Sequence, residues 1–397
     1  MSDLRRTDRR PVLLVLSERL PVPPWDGGRL RFRGILNGLT ESWRVRLAAF
    51  ADGREGPGEV ARWHKRCDEI VLVPAPRRPA LRALRQLLAP EPLNVSAYAS
   101  AELAVVSRRM AVGAGAAWVS RLRMCPFVPA GIGAVAVDFT DALSRYAQSL
   151  VESPSVLHRW YGRLDAGRLL RFEASAARAA TISFCASPVD ADFLSRTSGT
   201  AVEVLPNAVP RADVRAVRGR PRGVRILYVG SFRYAPNRWA GDWLARKVWP
   251  WVRRLDPDAT LTVATSGGDA RRFVEAGARV VFGARNLEPL YAMASAAAVP
   301  GEMRGGTRLK LLEAVAFGVP VVATPAGAEG LPFRPGRELL VEKDAEPFAR
   351  ALVEASVPAR SRSLAVAARS TLLRTLTWEH VLPPAFARFR RAMALRA

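Results

Sequence analysis

Residues 305–324 combine glycine, cationic and apolar residues in an order that could hold an anionic ligand. The segment is predicted to form a glycine turn at Gly305 and Gly306, then a short helix, then a buried strand. Arg308 and Lys310 fall in the first helical turn, where the helix dipole favours negative charge by ~0.3–1 kcal/mol. A bound anion would remove this conflict, and the two glycines let backbone N–H groups approach it closely.

Glu313 lies further along the same predicted helix and shares a face with Leu309, Ala316 and Phe317. A carboxylate on an apolar face costs free energy unless a partner hydrogen-bonds to it. A ligand with a phosphate-rich end and a hydroxyl-rich end would satisfy both this carboxylate and the cations of the first turn. A nucleotide sugar is such a ligand, so the segment predicts a nucleotide-sugar site.

The chain has 397 residues, 49% of them hydrophobic, which is enough for two domains with substantial cores. Its net charge of +24 predicts attraction to polyanions such as nucleic acid, anionic lipid or phosphorylated substrates. A non-enzymatic polyanion-binding protein is therefore a competing class. The sequence contains no recognised nucleic-acid motif and no array of stacking aromatic residues, so no nucleic-acid partner is expected.

The final segment, residues 378–397, places Phe386, Phe389 and Met393 at helical spacing among several arginines. This pattern favours a docked helix with a solvated basic face, and peripheral contact with an anionic membrane is the alternative. No apolar run reaches the ~18–20 residues of a transmembrane helix. The short apolar run after the N-terminal arginines predicts a first strand rather than a signal peptide. We therefore expect a cytoplasmic protein, with the inner membrane face as a possible peripheral location.

Cysteine and histidine residues are few and scattered along the chain. Their spacing gives neither a disulfide framework nor a set of metal ligands, which fits a reducing cytoplasm and predicts no metal site. These residues are Cys67, Cys125, Cys185, His64, His158 and His380.

Apolar strand-like runs alternate with helical stretches in the first half of the chain, and the alternation restarts after residue 213. This order indicates βαβ units and parallel sheets. The predicted strands are 11–16, 44–50, 69–73, 116–120, 132–137, 181–185, 202–205, 225–229, 260–265, 279–282, 296–299, 319–324 and 339–342.

The predicted fold is α/β, with two doubly wound Rossmann-like domains facing across a cleft. Residues 1–212 would form the acceptor-side domain and residues 213–377 the nucleotide-sugar domain. Residues 378–397 would form a helix that returns to the first domain. Ligands of such sheets bind beyond the carboxyl ends of the strands, so the cleft is the expected site.

Residues 305–324 resemble the nucleotide-sugar segment of family 4 glycosyltransferases, which have the GT-B fold. Many members have a glycine-rich turn, then Thr-Arg-Leu-Lys, two apolar residues, Glu-Ala and Gly-x-Pro-Val-Val, and the chain follows this pattern. The resemblance implies that the turn amides and basic residues hold the donor diphosphate, and that Glu313 holds the nucleotide ribose. The implied diphosphate contacts are Gly305, Gly306, Thr307, Arg308 and Lys310. Many relatives have a second glutamate, which contacts the donor sugar, where this chain has Gly305.

Two further loops share the resemblance. One follows the predicted strand 225–229, where Arg233 is a candidate for phosphate contact and Asn237 is either a helix cap or a site residue. The other follows the first strand, where Gly27 and Gly28 would let the loop lie against the donor diphosphate or the acceptor. A simple strand-to-helix turn is the alternative for this glycine pair.

Asp138 and Asp141 end a predicted buried strand, and relatives have a comparable pair of acids. Acids at a strand end in a cleft are candidates for acceptor-side chemistry, although Asp141 could instead cap the next helix. Asn207, in a turn that resembles the close of the family's first domain, is expected to be structural.

The resemblance implies sugar transfer from a nucleotide diphosphate sugar to an acceptor hydroxyl, with retention of the anomeric configuration. Lys310, Arg308 and Asp138 would be the catalytic residues, the two cations by stabilising charge on the leaving diphosphate. No cofactor or metal is expected. The acceptor would be a saccharide, a lipid-linked or a small molecule, in polysaccharide or glycolipid assembly. Specialised-metabolite biosynthesis is the alternative setting, and an epimerase or phosphorylase of the same fold is a further alternative.

Overall fold

The structure is a computed structural model, which describes residues 10–22, 27–53, 55–76, 90–152, 155–216, 221–284, 286–302 and 306–395. The chain forms two compact units. Unit 1 comprises Met1–Leu205 together with Leu382–Ala397, and unit 2 comprises Pro206–Val381. Each unit contains one parallel sheet with helices packed against it.

In unit 1, the described residues form a seven-stranded parallel sheet with the strand order β3-β2-β1-β4-β5-β6-β7. The central strand β1 is almost wholly buried because helices cover both faces of a sheet of this kind. The strands are β1 (Val12–Ser17), β2 (Arg44–Ala51), β3 (Glu69–Pro74), β4 (Ala116–Ser120), β5 (Ala134–Thr140), β6 (Ile182–Cys185) and β7 (Val202–Val204).

The helices of unit 1 connect successive strands. In the first helix Phe32, Ile35, Leu36 and Leu39 recur at helical spacing and are buried, so this face packs against the sheet. The helices are α1 (Gly27–Ser42), α2 (Pro57–His64), α3 (Leu93–Ser96), α4 (Ala101–Met110), α5 (Leu143–Ser149), α6 (Val156–Ala179) and α7 (Pro188–Ser198), with 3-10 turns at Leu122–Phe127 and Leu150–Glu152.

Unit 2 contains a six-stranded parallel sheet, in the residues described, with the order β10-β9-β8-β11-β12-β13. Its strands are β8 (Arg225–Val229), β9 (Thr260–Thr265), β10 (Arg279–Phe282), β11 (Ala296–Val299), β12 (Val321–Ala323) and β13 (Leu340–Val341). Its helices are α8 (Ala235–Trp243), α9 (Trp249–Leu255), α10 (Arg271–Glu275), α11 (Glu288–Ala292), α12 (Leu309–Ala316), α13 (Pro325–Ala328), α14 (Ala345–Ser356) and α15 (Pro358–Thr375), with a 3-10 turn at Arg211–Asp213 and a π turn at Leu244–Val248. The last helix, α16 (Trp378–Ala394), begins in unit 2 and ends in unit 1.

Both sheets confirm the predicted doubly wound α/β architecture. The predicted strands are all present, and most differ from the observed bounds by one or two residues. In each sheet the strand order reverses once, between β1 and β4 in unit 1 and between β8 and β11 in unit 2. These reversals are where open α/β sheets bind ligands, just beyond the carboxyl ends of the strands.

Helix α16 docks through its apolar residues. Phe389 lies 6.1 Å from Trp43 and 6.0 Å from Trp118, measured between ring centroids. Phe386 packs edge-on against the same two tryptophans. Arg388, on the exposed side, pairs with Glu203 at 2.6 Å. These described residues of α16 thus pack through an apolar face, with Arg388 on the exposed side.

From the sequence we expect neither a transmembrane helix nor a disulfide framework. Among the described residues, none of the helices combines the length and apolar composition that crossing a membrane requires. Cys67, Cys125 and Cys185 are free cysteines in the structure.

We expect Phe389→Ala to destabilise the protein, because it leaves a cavity beside Trp43 and Trp118. Truncation of a buried phenylalanine costs about 3–5 kcal/mol. The measurement is the midpoint of urea unfolding, followed by near-ultraviolet circular dichroism. Arg391→Ala, at an exposed position of the same helix, is the control and should leave the midpoint nearly unchanged. Equal midpoints for the two variants would contradict the docking of α16.

Candidate functional site

The turn before α12 is shaped by a glycine and a buried asparagine. Gly306 has φ +65°, a left-handed conformation that favours glycine. Asn207 Nδ2 donates to Thr307 Oγ1 at 2.7 Å, so a residue from the start of unit 2 fixes the hydroxyl of this turn. Asn207, which we expected to be structural, therefore contacts Thr307, one of the predicted site residues. Gly305, the other predicted turn glycine, lies outside the described residues.

Helix α12 begins directly after Arg308, which occupies its N-cap position with φ −88° and ψ 95°. Arginine carries no acceptor atom, so its side chain cannot cap the first N–H groups of the helix. Those N–H groups suit a bound anion or water. The structure therefore combines cationic side chains with backbone donors at the start of α12, with Lys310 in the first turn as predicted and Arg308 one position before the helix.

Lys310 Nζ is held between an amide and an aromatic ring. It donates to Asn237 Oδ1 at 2.8 Å and lies 4.8 Å from the centroid of the Tyr228 ring. Burial lowers the pKa of Lys310 to about 7; nearby Arg308 acts in the same direction, and Glu313 opposes it. Near neutral pH, the charged form of the Lys310 side chain is therefore only weakly favoured over the neutral form.

Asn237, which the sequence left open between a helix cap and a site residue, contacts Lys310. Helix α8 has Tyr234 as its N-cap, so Asn237 is not the helix cap. Its Nδ2 donates to the Ser231 carbonyl at 3.1 Å, which directs Oδ1 toward Lys310. The Tyr228 hydroxyl donates to the backbone carbonyl of Asn237 at 2.9 Å and also holds this residue in place. In the sequence, Asn237 is marked by its position after a strand that ends in glycine. Its partner Lys310 is remote in the chain, so local pattern does not predict the contact.

Glu313 lies on the less buried side of α12. Its neighbours Leu311, Leu312, Ala314 and Val315 form the core face, whereas Glu313, Leu309 and Phe317 are half-buried. Glu313 shares its face of the helix with Leu309, Ala316 and Phe317, and these three apolar residues belong to the core or pack against it. Burial still raises the pKa of Glu313 to about 7, with Lys310 opposing the rise.

Arg233 lies at the carboxyl end of the neighbouring strands, as predicted. It is exposed, and a Cβ built on Gly267 would lie 2.7 Å from its Nε, so the glycine makes room for this arginine. Gly267 and Gly268 both have positive φ, which keeps the loop after β9 close to the β8 loop. The residues of unit 2 predicted from the sequence, where described, thus follow β8 and β11, the pair at which strand order reverses.

In unit 1, Asp138 forms a buried ion pair. Arg31 Nε donates to Asp138 Oδ2 at 3.0 Å and Arg31 Nη2 to Oδ1 at 2.8 Å. The backbone N–H of Thr140 also reaches Oδ1, at 3.2 Å. Both carboxylate oxygens therefore have donors from the protein, and the predicted catalytic role of Asp138 stays a prediction.

The remaining predicted residues of unit 1 lie at the same end of the sheet. Gly27 is the first residue of α1, and Gly28 lines a cavity beside the carboxyl end of β1. Asp141 does not occupy the cap position of the next helix, because that position is Ala142. Among the described residues, no group of three or more His, Cys, Asp or Glu side chains could hold a metal ion.

Two Rossmann-like units of this kind define the GT-B class of glycosyltransferase structures, and solved members of that class match nearly the whole chain. Sucrose-phosphate synthase from Thermosynechococcus elongatus has a TM-score of 0.68 at 17% identity, with 98% of this chain and 100% of that chain covered. Anabaena HepE, solved with UDP and glucose, has a TM-score of 0.67 at 15% identity, with coverages of 96% and 100%. The UDP-forming α,α-trehalose-phosphate synthase from Burkholderia vietnamiensis has a TM-score of 0.62 at 14% identity, with coverages of 96% and 100%. The protein therefore has the GT-B fold.

A narrower match concerns unit 2. Residues 223–356 match the family model described as Glycosyl transferases group 1. The matched segment contains Arg233, Asn237, Lys310 and Glu313. Among curated proteins, no sequence match was found.

The raised pKa of Glu313 predicts a pH-dependent stability for the ligand-free protein. Folding prefers the protonated carboxyl, so this contribution is complete below the usual pKa of 4.5 and is lost as the pH rises through about 7. We expect the wild-type melting temperature to fall across this window, and Glu313→Gln to reduce the fall. Glu275→Gln, at an exposed position of unit 2, is the control. The same pH profile in Glu313→Gln and wild type would contradict the expected coupling.

Proposed function

We propose that the protein is a retaining glycosyltransferase of family 4, which moves a sugar from a nucleotide diphosphate sugar to an acceptor hydroxyl. The observation that carries this proposal is the Lys310 ammonium group, poorly solvated and held at 2.8 Å by Asn237 beside the first turn of α12. A diphosphate beside this group would be the anionic partner that stabilises its charged form. The group 1 domain match over residues 223–356 supports the same activity.

The diphosphate would be held by cations and backbone donors together. Arg308 and Lys310 would contact phosphate oxygens, with N–H groups of the Gly306 turn, and Arg233 would contribute from the β8 loop. Preorganised charges in a poorly solvated site stabilise a developing negative charge more than water does. Binding would also raise the pKa of Lys310 toward its ordinary value, because the phosphate favours the charged form.

Glu313 would bind the nucleotide ribose. Its carboxylate is destabilised by burial, and two vicinal hydroxyl groups would provide the hydrogen-bond donors that stabilise the charged form. HepE, a structural neighbour, was solved with UDP-glucose as well as with UDP and glucose. A uridine nucleotide is accordingly the first donor to test.

In the proposed reaction, the bond between the anomeric carbon and the β-phosphate oxygen breaks while the acceptor oxygen forms the new bond on the same face. The acceptor hydroxyl proton passes to an oxygen of the leaving β-phosphate. The nucleoside diphosphate leaves with the electron pair of the broken bond, stabilised by Lys310 and Arg308. We propose that no cofactor or metal takes part, and that Asp138 acts by ordering Arg31, whose guanidinium occupies both its oxygens.

We place the reaction in polysaccharide or glycolipid assembly, on the family resemblance of residues 305–324 and the basic character of the chain, with net charge +24. A saccharide or lipid-linked acceptor fits this setting. The exposed arginines of α16 would supply any peripheral contact with an anionic membrane. Specialised-metabolite biosynthesis is the alternative, in which the acceptor is a small molecule.

A thermal-shift panel of nucleoside diphosphates tests the donor site. A ligand that binds only the folded protein stabilises it by about 2.7 kcal/mol at 100 times its Kd. We expect one nucleoside diphosphate to raise the melting temperature above the others, with UDP as the leading candidate. No response to any nucleoside diphosphate would contradict the proposed function.

Two variants separate binding from turnover at this site. Glu313→Ala should weaken nucleoside diphosphate binding about tenfold, or ~1.4 kcal/mol, measured by isothermal titration calorimetry. Lys310→Met should lower kcat about 10²–10³-fold, as loss of a transition-state donor does, with a smaller effect on donor affinity. Turnover is measured with the sugar of the nucleotide that the panel selects.

Lys343→Met, at an exposed position of unit 2, removes the same charge away from α12 and is the matched control. It should leave both affinity and kcat unchanged. Wild-type kinetics in both Lys310→Met and Glu313→Ala would exclude the proposed diphosphate and ribose contacts.

A further inference from the structure

A buried asparagine from outside residues 305–324 reaches the turn that precedes α12. Asn207 is only 3% exposed, and its Nδ2 donates to Thr307 Oγ1 at 2.7 Å. Thr307 is half-buried and directly precedes Arg308, the N-cap residue of α12. A side chain 100 residues away in the chain therefore contacts the residue beside the proposed diphosphate site.

The backbone beside Asn207 is fixed to the core of unit 2. The Val209 N–H donates to the Leu376 carbonyl at 3.0 Å, and the Trp378 N–H donates to the Val209 carbonyl at 3.0 Å. Val209 is buried and belongs to the apolar cluster that includes the core face of α12. These contacts lie two positions from Asn207, so they hold its amide group beside the turn.

The other end of the turn is anchored by a second buried side chain. The Thr324 hydroxyl accepts the Gly301 N–H at 2.9 Å and donates to the Gly301 carbonyl at 2.6 Å. It also accepts the Gly327 N–H at 3.1 Å. A Cβ built on Gly327 would lie 2.1 Å from a carbonyl oxygen of β11, so a glycine is needed for this close approach. Both ends of the turn are thus held by buried side chains, Gly301 by Thr324 and Thr307 by Asn207.

Hydrogen-bond chemistry assigns a direction to the Thr307 hydroxyl. A threonine hydroxyl has one hydrogen to donate and two lone pairs that accept. Its oxygen accepts from the Asn207 amide nitrogen, which is a donor only, so the hydroxyl hydrogen points elsewhere. Within the described residues, no acceptor takes this hydrogen. It is consequently available to an oxygen atom of a ligand at the start of α12.

We propose that Asn207 is a positioning residue of the donor site, which orients the Thr307 hydroxyl so that it donates to an oxygen of the diphosphate. The proposal rests on the proposed glycosyltransferase function and adds an uncharged donor to the cations Arg308 and Lys310. Thr307 contacts the ligand, and Asn207 acts through Thr307. The hydroxyl keeps its hydrogen across the neutral pH range, whereas the charge of Lys310 changes near pH 7.

The test is isothermal titration calorimetry of the full chain with UDP, GDP, ADP, CDP and dTDP, and then of variants with the nucleotide that binds most tightly. Asn207→Leu removes the amide donor at similar side-chain volume, and Thr307→Val removes the hydroxyl. We expect each to weaken binding about tenfold, as loss of a hydrogen bond to a charged group does. Thr307→Ser keeps the hydroxyl and should bind nearly as tightly as the wild type.

A double-mutant cycle separates positioning from a general structural role. Because Asn207 acts through Thr307, Asn207→Leu should have a much smaller effect in the Thr307→Val background than in the wild type. The double variant should therefore bind about tenfold more weakly than the wild type, rather than about a hundredfold. Equal effects of Asn207→Leu in the two backgrounds overturn the proposal, and so does wild-type affinity in Thr307→Val.

Folding of each variant is checked by near-ultraviolet circular dichroism and urea unfolding. If Asn207→Leu does not fold, Asn207→Ala takes its place in the cycle, with the same expected coupling to Thr307→Val. Thr307→Val and Thr307→Ser test the hydroxyl in either case. Similar losses of affinity in these two Thr307 variants would show that the hydroxyl is not the group that binds, and would overturn the proposal.

Thr371→Val is the matched control for loss of a buried hydrogen bond. Thr371 is buried in unit 2 and donates to Glu338 Oε1 at 2.9 Å, a contact that involves neither Asn207 nor Thr307. This variant should lower the urea unfolding midpoint and leave nucleotide affinity unchanged. A loss of affinity equal to that of Asn207→Leu would assign the effect to stability and overturn the proposal.

The outcomes distinguish this inference from the proposed function. Nucleotide binding by the wild type, with unchanged affinity in the Asn207 and Thr307 variants, overturns the positioning role alone. Binding of none of the five nucleoside diphosphates by the wild type contradicts the proposed function, and with it the contact to Thr307.

Discussion

The ammonium group of Lys310 is tied to an amide oxygen and an aromatic ring, and this contact joins three elements of unit 2. Tyr228 comes from β8, Asn237 from α8 and Lys310 from α12. An amide oxygen and a ring face solvate a cation less well than water does, which is why the pKa of Lys310 falls to about 7. The charge state of the site therefore depends on how closely these three elements pack.

The buried charges at two places in the structure are stabilised in different ways. In unit 2, burial destabilises the charged forms of Lys310 and Glu313, and within the described residues neither side chain forms an ion pair. In unit 1, Asp138 receives a two-pronged contact from Arg31. Breaking such a pair on one side leaves an uncompensated charge and is strongly destabilising. The Arg31–Asp138 pair of unit 1 is thus an ion pair whose partners compensate one another, whereas Lys310 and Glu313 of unit 2 have pKa values near neutrality, and the protonation of these two groups can respond to a ligand.

The sequence alone predicted the architecture well, because the signal for parallel strands is local. Each run such as Leu13–Leu16 is continuous and apolar, so its position is evident without knowledge of its neighbours. The position of Arg308 and Lys310 beside a turn containing Gly306 was also predictable, since both follow that glycine within four residues of the chain. The resemblance of this segment to a known family added the ribose role of Glu313.

Contacts between distant residues were not predictable from local pattern. Lys310 and Asn237 are 73 residues apart, and Asn207 and Thr307 are 100 apart. Arg31 and Asp138 are separated by 107 residues. Lys310 and Asn237 meet because the strands before them, β11 and β8, are neighbours in a sheet, and no local pattern gives the order of the strands.

The path of α16 has a consequence for how the chain can be divided. Its first residues belong to unit 2 and its last to unit 1, where Phe386 and Phe389 complete an aromatic cluster with Trp43 and Trp118. Unit 2 is one uninterrupted stretch, Pro206–Val381, while unit 1 is assembled from both ends of the chain. During synthesis, the aromatic core of unit 1 must therefore wait for residues that are added only after the whole of unit 2. A ribosome-bound chain that has completed its first half still lacks Phe386 and Phe389, the two rings that complete this aromatic cluster.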